Sequence, residues 1–173
     1  MSSHKSLLMF LSSTGFNETE YLVISNDIKK AGYNLFIVSD AHSLCIGSNG
    51  LKIKNDIALL NANHNNFNGL IIIGGNGVKL YWDNQILQRL SYKFYECGKL
   101  TSAICSAPII FAKAGIKFEK GVCYPADKSI LESCGIEYLD SPVVISRNVI
   151  TGRDSTASKE FAETTIHYLR KKL

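Results

Sequence analysis

The feature that most constrains the fold of this chain is a series of short, nearly continuous apolar runs. The clearest runs cover residues 7–11, 34–38, 69–73 and 100–104. Uninterrupted apolar segments of this length are typical of strands that are buried on both faces of a sheet. Segments with helical spacing of apolar residues separate these runs, so the sequence predicts an α/β fold with a mainly parallel, doubly wound sheet and helices on both faces.

The remaining pattern predicts the other elements. Helices are expected over residues 18–31, 83–97, 108–114, 128–134 and 155–173. A short strand is expected at 121–124, and hairpins are expected where 44–46 meets 51–53 and where 143–146 meets 149–151. Because ligands of such sheets bind beyond the carboxyl ends of the strands, the loops 12–17, 74–77 and 105–108 are the candidate functional loops.

Length and composition narrow the class of protein. The 173 residues are 46% hydrophobic and 20% charged, which suits a single domain over residues 1–173 and excludes a disordered chain. No apolar run approaches the roughly 20 residues that a membrane span needs, and no secretory signal is recognised, so a cytoplasmic protein without membrane contact is expected. Three of the net +4 charges come from 170–172 at the end of the last predicted helix, so nucleic acid is not an expected partner.

The cysteines predict neither disulfides nor a metal site. They are five in number, no two are spaced C-x-x-C, and no cofactor-binding motif accompanies them. We therefore expect reduced thiols, no metal and no cofactor. The five are Cys45, Cys97, Cys105, Cys123 and Cys134.

Cys105 occupies the most informative position, one residue after the predicted strand 100–104 and just before a helix with Pro108 in its first turn. A sharp turn there would present the sulfur at the edge of the sheet, and the helix dipole would lower the thiol pKa. The alternative is a small buried apolar residue. Gly74 and Gly75 follow the predicted strand 69–73, either as an ordinary turn or as part of an oxyanion hole. Glu18 opens the first helix, where the helix dipole favours a carboxylate.

Three segments together resemble one family. They are Asn17-Glu18-Thr19, GLIIIGGN at 69–76 and AICSAP at 103–108. With the supporting stretches 31–33, 125–128 and 151–153, they are similar in order and spacing to the Parkinsonism-associated deglycase (DJ-one) group of the ThiJ/PfpI superfamily. The resemblance implies a flavodoxin-like three-layer sandwich and a homodimer.

The resemblance also implies a role for several residues. Cys105 matches the reactive cysteine of the family, and Glu18 matches the protonated glutamate that hydrogen-bonds it. A neutral carboxylic acid can donate to a thiolate, whereas a carboxylate would repel it. The backbone amides of Gly75 and Ser106 match the oxyanion-hole donors, and Cys45 matches a secondary cysteine near the dimer contact of some members.

Gly74, Asn76, Tyr124 and Arg153 are expected to line the site. Tyr124 stands where many members have a histidine before proline, and Ser106 stands where protease-like relatives have a histidine. The segment 153–155 replaces a Gly-Pro turn. None of the four histidines lies in a matching motif, so no His–Cys relay is predicted.

Four functions remain open at this stage. The first is a redox-responsive stress protein in which Cys105 is oxidised. The second is a glyoxalase or deglycase that uses Cys105 on small aldehydes or glycated groups, and the third is a peptidase or amidase, disfavoured by the missing histidine. The fourth is an oxidation-sensitive chaperone or partner-binding module without catalysis.

Overall fold

The computed structural model describes residues 5–172, and His4 and Leu173 lie outside this range. A seven-stranded sheet forms its centre, with the strand order β11-β12-β8-β7-β1-β3-β6. All neighbouring pairs in it are parallel except β11 and β12. These strands are β1 (Ser6–Phe10), β3 (Asn34–Ser39), β6 (Ile57–Ala58), β7 (Gly69–Ile72), β8 (Leu100–Ile104), β11 (Val143–Ser146) and β12 (Val149–Gly152).

Two small sheets lie beside the central one. The strands β2 (Thr14–Phe16), β4 (Leu44–Gly47) and β5 (Lys52–Lys54) form the first, in which β4 and β5 are an antiparallel hairpin. The strands β9 (Lys120–Gly121) and β10 (Glu137–Tyr138) form the second.

Helices cover both faces of the central sheet, as the alternating buried residues of β1 require. Leu7 and Met9 pack into the apolar cluster beneath α1 (Glu18–Lys30) and α5 (Ser158–Lys172). Leu8 and Phe10 point to the other face, into the cluster with α2 (Gln85–Glu96), α3 (Pro108–Lys113) and α4 (Lys128–Ser133). Because successive side chains of a strand alternate between faces, one continuous apolar run serves two cores. The predicted three-layer α/β architecture is confirmed.

The sequence-based boundaries differ from the structure mainly in the loops. The predicted loop 12–17 contains β2, and the predicted strand 121–124 is reduced to Lys120–Gly121. A 3-10 helix, Asn76–Tyr81, follows β7 where only a glycine loop was expected. None of the helices within residues 5–172 is long and apolar enough to cross a membrane.

Candidate active site

Cys105 lies in a strained turn between β8 and α3. Its φ of +64° is in the left-handed region, which is unusual for a residue other than glycine. Two backbone hydrogen bonds hold this conformation: the Cys105 N–H donates to Gly152 O (3.0 Å), and the Tyr124 N–H donates to Cys105 O (2.7 Å). Pro108 occupies the first turn of α3, as predicted. The side chain therefore leaves the sheet at its carboxyl edge, although only 8% of the residue is exposed.

The carboxylate beside Cys105 belongs to Glu20 and not to Glu18. Glu20 is fully buried, and its Oε2 accepts a hydrogen bond from the Gly74 N–H (2.7 Å). Glu18 turns toward the β4–β5 hairpin, where its Oε1 accepts from the N–H groups of Asn49 (2.7 Å) and Leu51 (2.9 Å). Two residues along an α-helix differ by about 200° in direction, so the two carboxylates cannot face the same neighbour. The assignment of Glu18 as the partner of Cys105 was therefore wrong.

A signal for Glu20 was present in the sequence. Glu20 shares its helix face with Ile24 and Ile28, which follow at intervals of four residues and are fully buried. Asn17, the N-cap, accepts from the Glu20 N–H through Oδ1 (3.0 Å) and fixes the start of the helix. A carboxylate on the buried stripe was the better candidate than one at the first helical position.

Burial is the largest influence on Glu20 and raises its pKa to about 7. The Gly74 N–H and the Cys105 thiol act in the opposite direction, and the charge of Asp154 adds to the rise. The second carboxyl oxygen, Oε1, is buried and has no hydrogen-bond partner among the described residues. A neutral carboxylic acid is therefore within reach at physiological pH, with one oxygen available to carry a proton.

Cys105 shows the complementary shift. Burial, followed by the charge of Glu20, raises the pKa of the thiol to about 12, while the backbone N–H groups of Gly75 and Ser106 pull it down. The expected lowering of the Cys105 pKa was wrong because it left out burial and the neighbouring carboxylate. Since the two groups interact this strongly, they titrate as one unit. Because both pKa values are raised, a proton can reside near neutral pH on the sulfur or on the carboxyl group.

Gly74 and Gly75 allow the closest contacts of the site. An added Cβ at Gly74 would lie 2.5 Å from Cys105 Cβ and 2.9 Å from Glu20 Oε2, and one at Gly75 would lie 2.5 Å from Gly15 O. Gly75 also has a φ of +111°. Only glycine permits this approach and this conformation, which direct the Gly75 N–H toward the sulfur.

A cleft of about 210 Å³ opens over the sulfur. Its lining residues are Asn17, Ser48, Gly75, Asn76, Lys79, Cys105, Ser106 and Tyr124. Asn76 and Tyr124 thus lie where the sequence placed them. Arg153 does not line this cleft, because its guanidinium group pairs with Asp140 (3.2 Å) and Asp154 (3.3 Å).

Asn17 ends the predicted functional loop 12–17, whereas Ser48 and Lys79 are cleft residues that sequence reasoning missed. Ser48 follows β4 in the hairpin turn, and Lys79 lies in the unexpected 3-10 helix. No group of three or more His, Cys, Asp and Glu side chains suited to a metal ion occurs within residues 5–172.

A buried hydrogen-bond network supports the turn after Cys105. The Ser106 hydroxyl donates to Asp127 Oδ2 (2.6 Å), and Trp82 Nε1 donates to Ser106 O (2.8 Å). Asp127 is only 4% exposed, and Lys79 Nζ lies 3.7 Å from its other carboxyl oxygen. The backbone that carries the Ser106 N–H is thus fixed from two sides.

The remaining cysteines are separate from this cleft. Cys45 is buried in β4 and Cys123 is buried close to α4, whereas Cys97 and Cys134 are exposed. Burial also raises the pKa of Cys123 to about 12. Cys97 and Cys134 therefore serve as accessible reference thiols.

The fold and the site together are a doubly wound α/β sheet that carries a strained cysteine turn at its carboxyl edge. The profile of the DJ-1/PfpI family matches residues 5–168, and the chain belongs to this family. The resemblance that the sequence motifs indicated is confirmed.

Curated relatives span most of the chain. It is 31% identical to the protein MJ0967 of Methanocaldococcus jannaschii, an alignment that covers 95% of this chain and 82% of the relative. It is 26% identical to Deglycase PH1704 of Pyrococcus horikoshii (84% of this chain and 89% of the relative). It is 28% identical to the glutathione-independent glyoxalase DJR-1.2 of Caenorhabditis elegans (94% and 87%).

Solved structures agree with the fold. The ThiJ/PfpI domain protein from Brachyspira murdochii superimposes with a TM-score of 0.94 and 26% identity, over 97% of this chain and 98% of that one. The names of the sequence relatives, by contrast, indicate activities: among them are deglycases and a glyoxalase.

Proposed function

We propose that the chain is a cofactor-independent glyoxalase or deglycase in which Cys105 is the nucleophile. The observation that carries this proposal is the buried Glu20–Cys105 pair beneath an open cleft. The Glu20 carboxyl group, whose pKa is raised to about 7 by burial, lies beside a sulfur that two backbone N–H groups face. The names of the relatives favour an aldehyde or a glycated group as the substrate.

The reactive form of the pair has the proton on Glu20 and the charge on sulfur. The thiolate adds to the aldehyde carbon of an α-oxoaldehyde, and the new S–C bond moves an electron pair onto the carbonyl oxygen. The Gly75 and Ser106 N–H groups stabilise that oxyanion, and Glu20 protonates it to give a hemithioacetal.

The same carboxyl group then completes the isomerisation. Glu20, now a carboxylate, removes the proton from the former aldehyde carbon to give an enediolate and returns it to the adjacent carbon. The hydroxyl proton passes from the first oxygen to the oxygen of that adjacent carbon, which leaves a 2-hydroxy thioester on Cys105. Water attacks the thioester, the S–C bond breaks, and a 2-hydroxycarboxylate leaves. The net change is the addition of one water molecule to the α-oxoaldehyde, so no external oxidant is needed.

The test is methylglyoxal turnover by matched cysteine variants. Cys105→Ser removes the nucleophile and should lower kcat/KM by at least about 10³-fold. Cys134→Ser removes an exposed thiol outside the cleft and should leave kcat/KM within about twofold. Turnover that survives Cys105→Ser would reject the mechanism.

The same geometry favours a second role in redox response. A buried acid with a free oxygen and two N–H groups around the sulfur would stabilise an oxidised Cys105 through hydrogen bonds. Peroxide would convert the thiolate to a sulfenate with release of water, and a second equivalent would give the sulfinate. After mild peroxide treatment, mass spectrometry should find Cys105 more oxidised than Cys97 and Cys134; equal oxidation would contradict this role.

The homodimer is also retained as a proposal. The apolar side chains of Leu22 on α1 and of Leu44 and Ile46 on β4 are 52%, 44% and 39% exposed, and a second copy would remove them from water. Sedimentation equilibrium should give about twice the mass of 19.1 kDa; a monomer at micromolar concentration would contradict the proposal.

A further inference from the structure

Lys79 introduces a positive charge into the cleft that holds Cys105. It lies in the 3-10 helix Asn76–Tyr81, which begins directly after Gly75. Of the eight residues that line the cleft within the described part of the chain, Lys79 alone carries a formal positive charge. An ammonium group beside a nucleophile attracts anionic reagents to that nucleophile more strongly than neutral ones.

The contacts of Lys79 leave its ammonium group available. Its Nζ lies 3.7 Å from Asp127 Oδ1, which is beyond a normal hydrogen bond, and 5.9 Å from the centre of the Trp82 ring. The other oxygen of Asp127 already accepts the Ser106 hydroxyl at 2.6 Å. Because the Lys79 side chain is 38% exposed and has three N–H donors, it can still bind an anion in the cleft.

We propose that Lys79 is a specificity-determining residue that selects electrophiles carrying a carboxylate. This inference rests on the proposed function, because it concerns the substrate that Cys105 attacks. The substrate class is an α-oxoaldehyde with a carboxylate at its far end, and 4,5-dioxopentanoate is the test compound. Cys105 attacks the aldehyde carbon, and Lys79, which lines the same cleft, binds the carboxylate.

A purely structural role makes a different prediction. If Lys79 only balances the charge of buried Asp127, its removal would disturb the Ser106 turn and slow every reaction of Cys105 by the same factor. Charge selection instead changes the preference between an anionic and a neutral reagent. The ratio of two rates therefore separates the roles, because a change in sulfur reactivity cancels in it.

Iodoacetate and iodoacetamide are the matched probes. In both reactions the Cys105 thiolate forms an S–C bond and iodide leaves, and the reagents differ in a carboxylate against an amide. Rates at each cysteine are measured by mass spectrometry of digested protein, with exposed Cys134 as the internal reference.

We expect the iodoacetate-to-iodoacetamide ratio of rates at Cys105 to fall about tenfold in Lys79→Met, as expected for loss of a unit charge at a partly exposed site. Lys79→Arg should keep the ratio within about threefold, and the ratio at Cys134 should not change.

The alkylation ratios distinguish charge selection by Lys79 from a purely structural role. An unchanged ratio in Lys79→Met, or an equal loss in Lys79→Arg, would overturn the proposal; Lys79→Gln replaces the methionine variant if that protein does not fold. Failure of the proposed function would appear differently, as methylglyoxal turnover that survives Cys105→Ser. In turnover assays, Lys79→Met should lower kcat/KM about tenfold for 4,5-dioxopentanoate and less than threefold for methylglyoxal, and equal losses would also overturn the proposal.

Discussion

Two glutamates in the first turn of α1 show how strongly surroundings determine what a carboxyl group can do. Glu18 binds the N–H groups of Asn49 and Leu51 in the hairpin turn, so both of its hydrogen bonds support local structure. Glu20 is fully buried, its Oε2 accepts from the Gly74 N–H, and its Oε1 has no hydrogen-bond partner among the described residues. The difference arises from a 200° change in direction along the helix.

This comparison explains why a pair of like residues has separate roles. The hairpin N–H groups bind the Glu18 carboxyl group, whereas burial raises the pKa of the Glu20 carboxyl group to about 7. A group that changes protonation near neutral pH can give and take a proton during a reaction. Replacement of the Glu18 carboxyl group by an amide is therefore expected to preserve activity, whereas the same replacement at Glu20 is not.

Replacing each glutamate by glutamine is the strongest test of this contrast. Glu20→Gln keeps an oxygen for the Gly74 N–H but cannot donate and recover a proton, so kcat/KM for methylglyoxal should fall about 10³-fold. Glu18→Gln keeps an acceptor for the hairpin N–H groups, and kcat/KM should stay within about twofold. Equal losses in the two variants would remove the distinction between the regions.

The pH dependence of stability gives the next largest effect. The Glu20 pKa is about 7 in the folded protein and near 4.5 in the unfolded chain, so the folded state binds more protons within this window. The stabilisation is complete below about pH 4.5 and is lost as the pH rises to about 7, in total about 3 kcal/mol. Urea unfolding at pH 4.5 and pH 8 should show this loss in the unmodified protein and in Glu18→Gln.

Glu20→Gln is the matched control for that measurement, because glutamine does not titrate. Its free energy of unfolding, compared with that of the unmodified protein, should improve by about 3 kcal/mol between pH 4.5 and pH 8. Parallel pH profiles for the two proteins would show that Glu20 is not the group responsible.

Sequence reasoning succeeded where apolar pattern alone determines structure. The strand β8 was predicted with its observed limits, and the predicted limits of β1 and β7 differ from the observed ones by one residue at most. These strands are buried on both faces, so their apolar runs alone identify them. The position of Cys105 at the end of β8 followed from this, as did the turn before Pro108. These features depend on neighbours in the chain and on the period of the sheet.

The missed features depend on contacts between distant segments. The 3-10 helix Asn76–Tyr81 is held by Tyr81, whose hydroxyl donates to Asp40 Oδ1 (2.5 Å) and accepts from the Ser13 N–H (3.1 Å). No local pattern encodes those bonds, so Lys79 was not expected in the cleft. The thiol pKa was likewise misjudged, because burial and the Glu20 charge outweigh the N–H groups that face the sulfur.

The smallest expected effect compares the glycines that contact the two glutamates. An added Cβ at Gly74 would lie 2.7 Å from the backbone oxygen of Ile104 as well as close to Glu20, whereas one at Gly47 would meet only the Glu18 side chain among its nearest neighbours. Backbone in the central sheet cannot move away, whereas the Glu18 side chain can move at the cost of its hydrogen bonds to the N–H groups of Asn49 and Leu51. Gly74→Ala should therefore destabilise the protein by about 2 kcal/mol and Gly47→Ala by about 1 kcal/mol, measured by thermal unfolding. Because the Gly74 Cβ would also press on Cys105 and Glu20, Gly74→Ala alone should alter the rate at which iodoacetamide modifies Cys105. If Gly47→Ala changed that rate by the same factor, the hairpin region would share in setting the reactivity of the sulfur, and the contrast between the two glutamates would not hold.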